Sequence, residues 1–167
     1  GKMEDCNKCA SGKKNDNVGS NSSVACVDCD ANTKAAVAGS FECIECSIGE
    51  KSDKGSAKCT TCDAGEAGTP CRACVPGQYR PSKNTDGTVM NAATCMQCPA
   101  GDTSKEGASS CDGCDVGMYG SKAGTCSLCP AGRYQDGKGE TSCKKCEEDT
   151  YLTDTGKASK ADCRACS

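Results

Sequence analysis

The chain has 167 residues, and 20 of them are cysteine, a proportion above the roughly 8–10% that indicates a disulfide scaffold. Leu, Ile, Val and Phe together number only 12, so the chain cannot bury one large apolar core. A net charge of −3 with mixed signs excludes a polybasic stripe for nucleic acid, and no apolar run approaches the roughly 20 residues that span a bilayer. Since His, the commonest general acid–base group, is also missing, we expect no enzyme, no cofactor, no nucleic-acid partner and no membrane segment in this chain.

Every cysteine belongs to a C-x-x-C pair, and these pairs recur along the whole chain. Successive first cysteines are 12 to 24 residues apart, which is the signature of a repeat architecture. In chain order the ten pairs are Cys6/Cys9, Cys26/Cys29, Cys43/Cys46, Cys59/Cys62, Cys71/Cys74, Cys95/Cys98, Cys111/Cys114, Cys126/Cys129, Cys143/Cys146 and Cys163/Cys166.

The third residue after each second cysteine, here called the +3 position, predicts a left-handed turn. Two of its nine occupants are Asn32 and Asp149, and the others are all glycine. These residue types tolerate a positive φ best. The seven glycines are Gly12, Gly49, Gly65, Gly77, Gly101, Gly117 and Gly132.

All four tyrosines of the chain, Tyr79, Tyr119, Tyr134 and Tyr151, lie five residues after a second cysteine, at what we call the +5 position. A tyrosine that stacks on a disulfide or a proline would provide a local apolar plug for a repeat without another core. A ligand-binding role for these rings is the less favoured interpretation.

A further glycine lies four residues before the next first cysteine in several repeats, at Gly39, Gly55, Gly107 and Gly139, within typical turn sequences. Each repeat is therefore predicted to contain a left-handed turn, a short strand, a tight turn and a second short strand. The predicted fold is small, disulfide-rich and all-β, an elongated tandem array of short hairpins with no large core. We expect one continuous array over 1–167, less regular over 1–70 and clearer over 71–167.

Cysteine connectivity cannot be fixed from sequence alone, but geometry favours one scheme. A bond within one C-x-x-C closes a strained ring typical of redox sites, and ten redox sites in one chain are implausible. Closure of each hairpin instead joins the second cysteine of one pair to the first of the next. Interleaved pairing, first with first and second with second, stays an alternative. Neighbour closure predicts Cys9–Cys26, Cys29–Cys43, Cys46–Cys59, Cys62–Cys71, Cys74–Cys95, Cys98–Cys111, Cys114–Cys126, Cys129–Cys143 and Cys146–Cys163.

Neighbour closure leaves Cys6 and Cys166 without a partner. We therefore expect each to bond outside the array seen here, and the chain to be a window of a longer array. A different interpretation is that C-x-x-C pairs hold zinc in sites of four cysteines. Three observations argue against zinc. The pairs form an even run without grouping into separate fingers, no His is present, and the chain has neither a basic surface nor an apolar face for a partner.

A single glycosylation sequon, Asn21-Ser22-Ser23, lies in a polar loop between two cysteine pairs. In a secreted chain we expect a glycan at Asn21. The alternative is an unmodified polar loop.

The repeats Cys126-Ser-Leu-Cys129-Pro-Ala-Gly-Arg-Tyr134 and Cys71-Arg-Ala-Cys74-Val-Pro-Gly-Gln-Tyr79 resemble the C-x-x-C-P-x-G-x-Y unit of ephrin-receptor-like and growth-factor-receptor cysteine-rich repeats. The resemblance extends to protist surface proteins such as ciliate immobilisation antigens and the variant-specific surface proteins of Giardia. It implies an extracellular, protease-resistant rod of short hairpins without enzymatic activity.

We therefore predict a structural ectodomain at the cell surface or outside the cell: a coat, stalk or surface antigen that contacts neighbouring repeats or copies of itself. One rival is a subunit of an extracellular filament such as a flagellar hair or a matrix fibre. A receptor-like binding module is a second rival, but it would need an exposed aromatic or charged hot spot, and nothing in the loops marks one. The third rival is an intracellular interaction protein held together by zinc.

Overall fold

The computed structural model describes residues 8–15, 25–84, 87–88 and 92–166. Within these ranges the regular structure is a series of two-stranded antiparallel sheets. A 3-10 helix, Lys160–Asp162, begins with a capping box in which the Ser159 hydroxyl accepts from the Ala161 N–H. The predicted small, all-β, disulfide-rich fold without a large core is confirmed.

Each hairpin forms between the two residues after a +3 turn and the two residues inside the next C-x-x-C. The +3 residue has a positive φ, which reverses the chain, and the cysteines of consecutive pairs then flank the paired strands. The pairs are β1 (Lys13–Lys14) with β2 (Val27–Asp28), β3 (Thr33–Lys34) with β4 (Ile44–Glu45), β5 (Glu50–Lys51) with β6 (Thr60–Thr61), β7 (Glu66–Ala67) with β8 (Arg72–Ala73), β9 (Gln78–Tyr79) with β10 (Met96–Gln97), β11 (Asp102–Thr103) with β12 (Asp112–Gly113), β13 (Met118–Lys122) with β14 (Thr125–Leu128), β15 (Arg133–Tyr134) with β16 (Lys144–Lys145), and β17 (Thr150–Tyr151) with β18 (Arg164–Ala165).

Almost every strand has only two residues, so the paired backbone alone cannot stabilise a hairpin. The β13–β14 hairpin is the longest, and its register shifts between Tyr119 and Lys122, as at a β-bulge. The disulfides that close the hairpins therefore provide most of the constraint.

The chain divides into two compact units. The amino-terminal unit takes its described residues from Gly1–Arg72 and Asn91–Thr94, and the carboxyl-terminal unit takes its own from Ala73–Met90 and Cys95–Ser167. That all repeats form one continuous array stays a prediction.

Candidate functional site

Nine disulfides form the central feature of the molecule, and each joins the second cysteine of one C-x-x-C to the first cysteine of the next. Their Cα–Cα distances lie between 5.5 and 5.9 Å, within the usual range for disulfides. These are the pairs that neighbour closure predicts rather than the interleaved ones. The bonds are Cys9–Cys26, Cys29–Cys43, Cys46–Cys59, Cys62–Cys71, Cys74–Cys95, Cys98–Cys111, Cys114–Cys126, Cys129–Cys143 and Cys146–Cys163.

The two cysteines of a disulfide are not equally buried. The second cysteines from Cys9 to Cys129 are at most 5% exposed, whereas most of the first cysteines are half-buried. The sulfur atoms therefore take the place that aliphatic side chains fill in an ordinary core, because cysteine behaves as a small hydrophobe.

Backbone hydrogen bonds fix eight of the second cysteines to the repeat before them. The cysteine N–H donates to the carbonyl oxygen of the preceding +3 residue at 2.8–3.0 Å. This contact makes the turn part of the closed hairpin. The donors and acceptors are Cys29 and Gly12, Cys46 and Asn32, Cys62 and Gly49, Cys98 and Gly77, Cys114 and Gly101, Cys129 and Gly117, Cys146 and Gly132, and Cys166 and Asp149.

A second set of backbone hydrogen bonds links seven of the +3 turns to the repeat after them. The +3 N–H donates to the carbonyl of the residue six positions after the next second cysteine, here called the +6 position. We call the disulfides and these two sets of bonds together the disulfide ladder. The bonds run from Gly12 to Ala35, Asn32 to Ser52, Gly49 to Gly68, Gly77 to Ser104, Gly101 to Gly120, Gly117 to Gln135 and Gly132 to Leu152, at 2.7–3.1 Å.

The +6 side chains are the buried positions that the sequence did not reveal. Their buried members are Ala35, Ser52, Arg80, Ser104, Gln135 and Leu152, none more than 9% exposed. These six side chains include methyl, hydroxyl, guanidinium, amide and isobutyl groups, so neither hydrophobicity nor residue type marks them. The constant spacing from a cysteine is the one signal that could have found them.

Polar side chains at +6 are buried with their hydrogen bonds made. The Ser104 hydroxyl donates to the Gln78 carbonyl at 2.7 Å. The Gln135 amide donates to the Ser142 carbonyl at 2.6 Å, and its oxygen accepts from the Gly137 N–H at 2.9 Å. Burial of these groups is therefore not penalised, because each donor or acceptor that leaves water gains a partner.

The +3 glycines are needed for a reason beyond positive φ. A Cβ on Gly117 would overlap the carbonyl of Gly156, which lies two repeats further along the chain, and the same relation joins Gly101 to Gly139. By contrast, nothing in the described part of the chain lies within 4 Å of the Cβ position of Gly132, although its φ is +77°. The turns of a repeat therefore contact both the next repeat and the one after it.

The four +5 tyrosines differ in environment. Tyr134 is 8% exposed and Tyr151 is 45% exposed, while Tyr79 and Tyr119 are half-buried. Tyr134 forms an isolated parallel bridge with Lys157 of the next repeat. A buried plug therefore describes Tyr134, whereas Tyr151 presents its ring to solvent.

Cys166, which neighbour closure leaves without a partner, is an exposed free thiol. Its N–H donates to the Asp149 carbonyl, as most other second cysteines donate to their turns. Cys6 and the sequon residue Asn21 lie outside the described residues.

Ion pairs lie on the surface of the hairpins. Lys51 bridges two carboxylates, Asp63 at 2.5 Å and Glu66 at 2.8 Å, and these hydrogen bonds raise the pKa of its ammonium group. The hydrogen bond from Lys13 at 2.8 Å, and next its positive charge, lower the pKa of Asp28. Exposed pairs of this kind contribute little stability because water and salt screen them.

These pKa shifts predict that the melting temperature stays constant between about pH 5 and pH 9. The lowered pKa values of Asp28 and Asp115 add stability that is lost only as the pH falls through them, below about 4. The raised pKa values of Lys51 and Lys138 add stability that is lost only as the pH rises through them, above about 10. No His titrates between these limits. Calorimetry across this range checks the prediction, and a steep change near pH 6–7 would contradict it.

In the described part of the chain, no group of three or more His, Cys, Asp or Glu side chains is arranged to hold a metal ion. The same residues contain no helix with the length and apolar character that crossing a membrane requires.

A match to one known family model lies within the carboxyl-terminal unit. Residues 117–163 match the family model described as "Tyrosine-protein kinase ephrin type A/B receptor-like". The ephrin-receptor-like match begins at the +3 glycine Gly117, ends at Cys163 and contains two complete disulfides of the ladder. The match covers less than a third of the chain. Together with the nine disulfides, it supports a relationship to cysteine-rich repeat proteins. The comparison with curated proteins found no match.

Proposed function

We propose that this chain is an extracellular structural ectodomain, a surface coat, stalk or surface antigen, without enzymatic activity. The observation that carries the proposal is the disulfide ladder, in which 18 cysteines close nine consecutive hairpins. Structural disulfides persist in oxidising compartments and rarely in the cytosol, which supports a place outside the cell over an intracellular zinc-held protein. The ephrin-receptor-like match over residues 117–163 supports the same role.

A ladder of this kind should protect the chain from proteases, because cleavage needs a locally unfolded segment. An elongated form and a protist source stay predictions of the sequence.

The proposal is tested by surface labelling of intact source cells together with digestion of the purified chain. We expect a membrane-impermeant amine reagent to label the protein on unbroken cells, and trypsin to leave it largely intact until a reductant is added. Labelling only after permeabilisation, or equal digestion with and without reductant, would contradict the proposal.

The exposed Cys166 thiol favours a second candidate, a subunit of an extracellular filament. Cys166 has the backbone contact of a second cysteine, so a first cysteine from another molecule could complete its disulfide. Non-reducing electrophoresis of the native protein tests this. Covalent multimers that disappear in a Cys166→Ser variant support the filament, and a monomer in both samples contradicts it.

A further inference from the structure

A cleft of about 530 Å³ opens within the carboxyl-terminal unit, where residues of three consecutive hairpins meet. A volume of this size is typical of a small-molecule site. Its lining includes the Cys114–Cys126 disulfide and Met118 of the β13–β14 hairpin. The β11–β12 hairpin contributes Thr103, and the loop before β16 contributes Lys138. The cleft is therefore formed by the packing of repeats and not by a single loop.

The +5 position explains why the cleft is open at this place. In the carboxyl-terminal unit every +5 residue except Thr103 is tyrosine. Thr103 lies directly opposite Asp112 in its hairpin, and both residues line the cleft. Tyr134 lies opposite Lys144 in the same way in a later hairpin. The cleft therefore lies where the other repeats of this unit carry a ring, and a ring supplied by a ligand has room there.

The sulfur-containing side chains of the cleft favour an aromatic ring over a saturated one. Contacts of sulfur with the edge of an aromatic ring add to the gain from burying apolar surface. Cys126 and Met118 are half-buried, whereas Cys114 is 1% exposed. A ring bound in the cleft therefore removes further apolar surface of Cys126 and Met118 from water.

Side chains of both charges also line the cleft. Lys138 pairs with Asp115 at 2.8 Å, and the hydrogen bond and charge of Asp115, followed by the charge of Asp112, raise the pKa of Lys138. Two carboxylates therefore share one ammonium group, which leaves room for a second cation. Lys105 lines the cleft as well, and no salt bridge to it is present within the described residues. Its ammonium group suits a carboxylate of a ligand.

We propose that this cleft binds a small aromatic zwitterion of the class of free aromatic amino acids. The ring takes the place of the missing +5 tyrosine, against Met118 and the Cys114–Cys126 disulfide. The α-ammonium group faces Asp112, and the α-carboxylate faces Lys105. This site goes beyond the proposed structural role and does not depend on it.

The test is an NMR titration of the full oxidised chain with L-phenylalanine, with the methionine methyl groups labelled with ¹³C. We expect the Met118 signal to shift, because the bound ring lies against this methyl group, with a dissociation constant of about 0.1–1 mM. Met96 does not line the cleft and serves as the internal control, so its signal should stay in place. The matched ligand is 3-cyclohexyl-L-alanine, which has a saturated ring and should bind at least about three-fold more weakly.

Variants of the cleft test each part of the proposal. Thr103→Tyr restores the +5 ring and should abolish binding. Because it also removes the hydrogen bond from the Thr103 hydroxyl to the Gly124 carbonyl, thiol counting must confirm that its disulfides are intact. Lys105→Gln and Asp112→Asn should each weaken binding about two- to five-fold, since exposed charges are screened by water and salt. Glu106→Gln is the matched control, an exposed acidic residue beside Lys105 that does not line the cleft, and should bind as the parent does.

Three results would overturn the proposal. The first is a Met118 signal that stays in place up to several millimolar L-phenylalanine, or that moves only together with Met96. The second is equal affinity for the aromatic and the saturated ligand. The third is an oxidised Thr103→Tyr variant that binds as the parent does. If this variant does not fold, the Lys105→Gln and Asp112→Asn variants decide, and affinities equal to that of Glu106→Gln would overturn the proposal.

Discussion

Gly117→Asn should lower the free energy of unfolding by about 1–3 kcal/mol, whereas Gly132→Asn should change it by no more than about 0.5 kcal/mol. Both glycines are +3 turn residues with nearly the same φ, +78° and +77°. Asparagine tolerates this φ, as Asn32 does at its own +3 position. The two glycines differ in their neighbouring atoms. A Cβ on Gly117 would overlap the Gly156 carbonyl, whereas no atom of the described residues lies within 4 Å of a Cβ on Gly132.

Guanidinium unfolding of both variants under non-reducing conditions measures the effect. The backbone φ is nearly the same at the two sites. The difference between the two changes in free energy of unfolding therefore measures the contact between a repeat and the one two further along. Equal stabilities for the two variants would show that this contact does not constrain the chain.

Removal of an interior disulfide should have the largest effect of any local change. Cys98→Ala/Cys111→Ala opens a loop with a sequence separation of 13, and we expect it to lower the free energy of unfolding by about 3 kcal/mol. Cys98 is fully buried, so the loss of its sulfur also removes packing among the few side chains that form the interior.

Cys146→Ala/Cys163→Ala is the matched control for this experiment. Its loop is longer, with a separation of 17, but Cys146 is only half-buried. Chain entropy alone predicts a slightly larger decrease in the free energy of unfolding when the disulfide of the longer loop is removed. Burial predicts the larger decrease for the Cys98 disulfide. We expect the larger loss at Cys98, measured by guanidinium unfolding. A loss below about 1 kcal/mol there would contradict a structural role for the ladder.

The fold class could be predicted because the cysteine spacing is regular and the composition excludes other solutions. Positive φ at Gly117 also follows from its place after Cys114, and the structure has it. A reader of the sequence can therefore place the turns and the short strands without coordinates.

The +6 positions could not be predicted in the same way. Arg80, Ser104 and Leu152 are all buried at equivalent places, so burial there depends on backbone position and not on residue chemistry. The buried polar side chains form hydrogen bonds with nearby backbone groups, as Ser104 does with the Gln78 carbonyl. A hydrophobic residue is therefore not required at the +6 position.

Contacts between a repeat and the one two further along also could not be predicted from the sequence. The overlap of Gly117 with Gly156 depends on the path of the connecting loop in space, which spacing alone does not give. The exposure of Phe41 could not be predicted either, because no pattern in the sequence assigns the single phenylalanine to the interior or to the surface.

The central claim, that a ladder of neighbour-closed disulfides replaces a hydrophobic core, is tested most directly by disulfide mapping. The native chain is alkylated without reduction, digested and analysed by mass spectrometry. The account predicts that Cys166 is alkylated, that the 18 ladder cysteines are protected, and that Cys98–Cys111 and Cys129–Cys143 appear as bonded peptides. Alkylation of most cysteines with release of zinc, or bonds that join first cysteines to first cysteines, would contradict it.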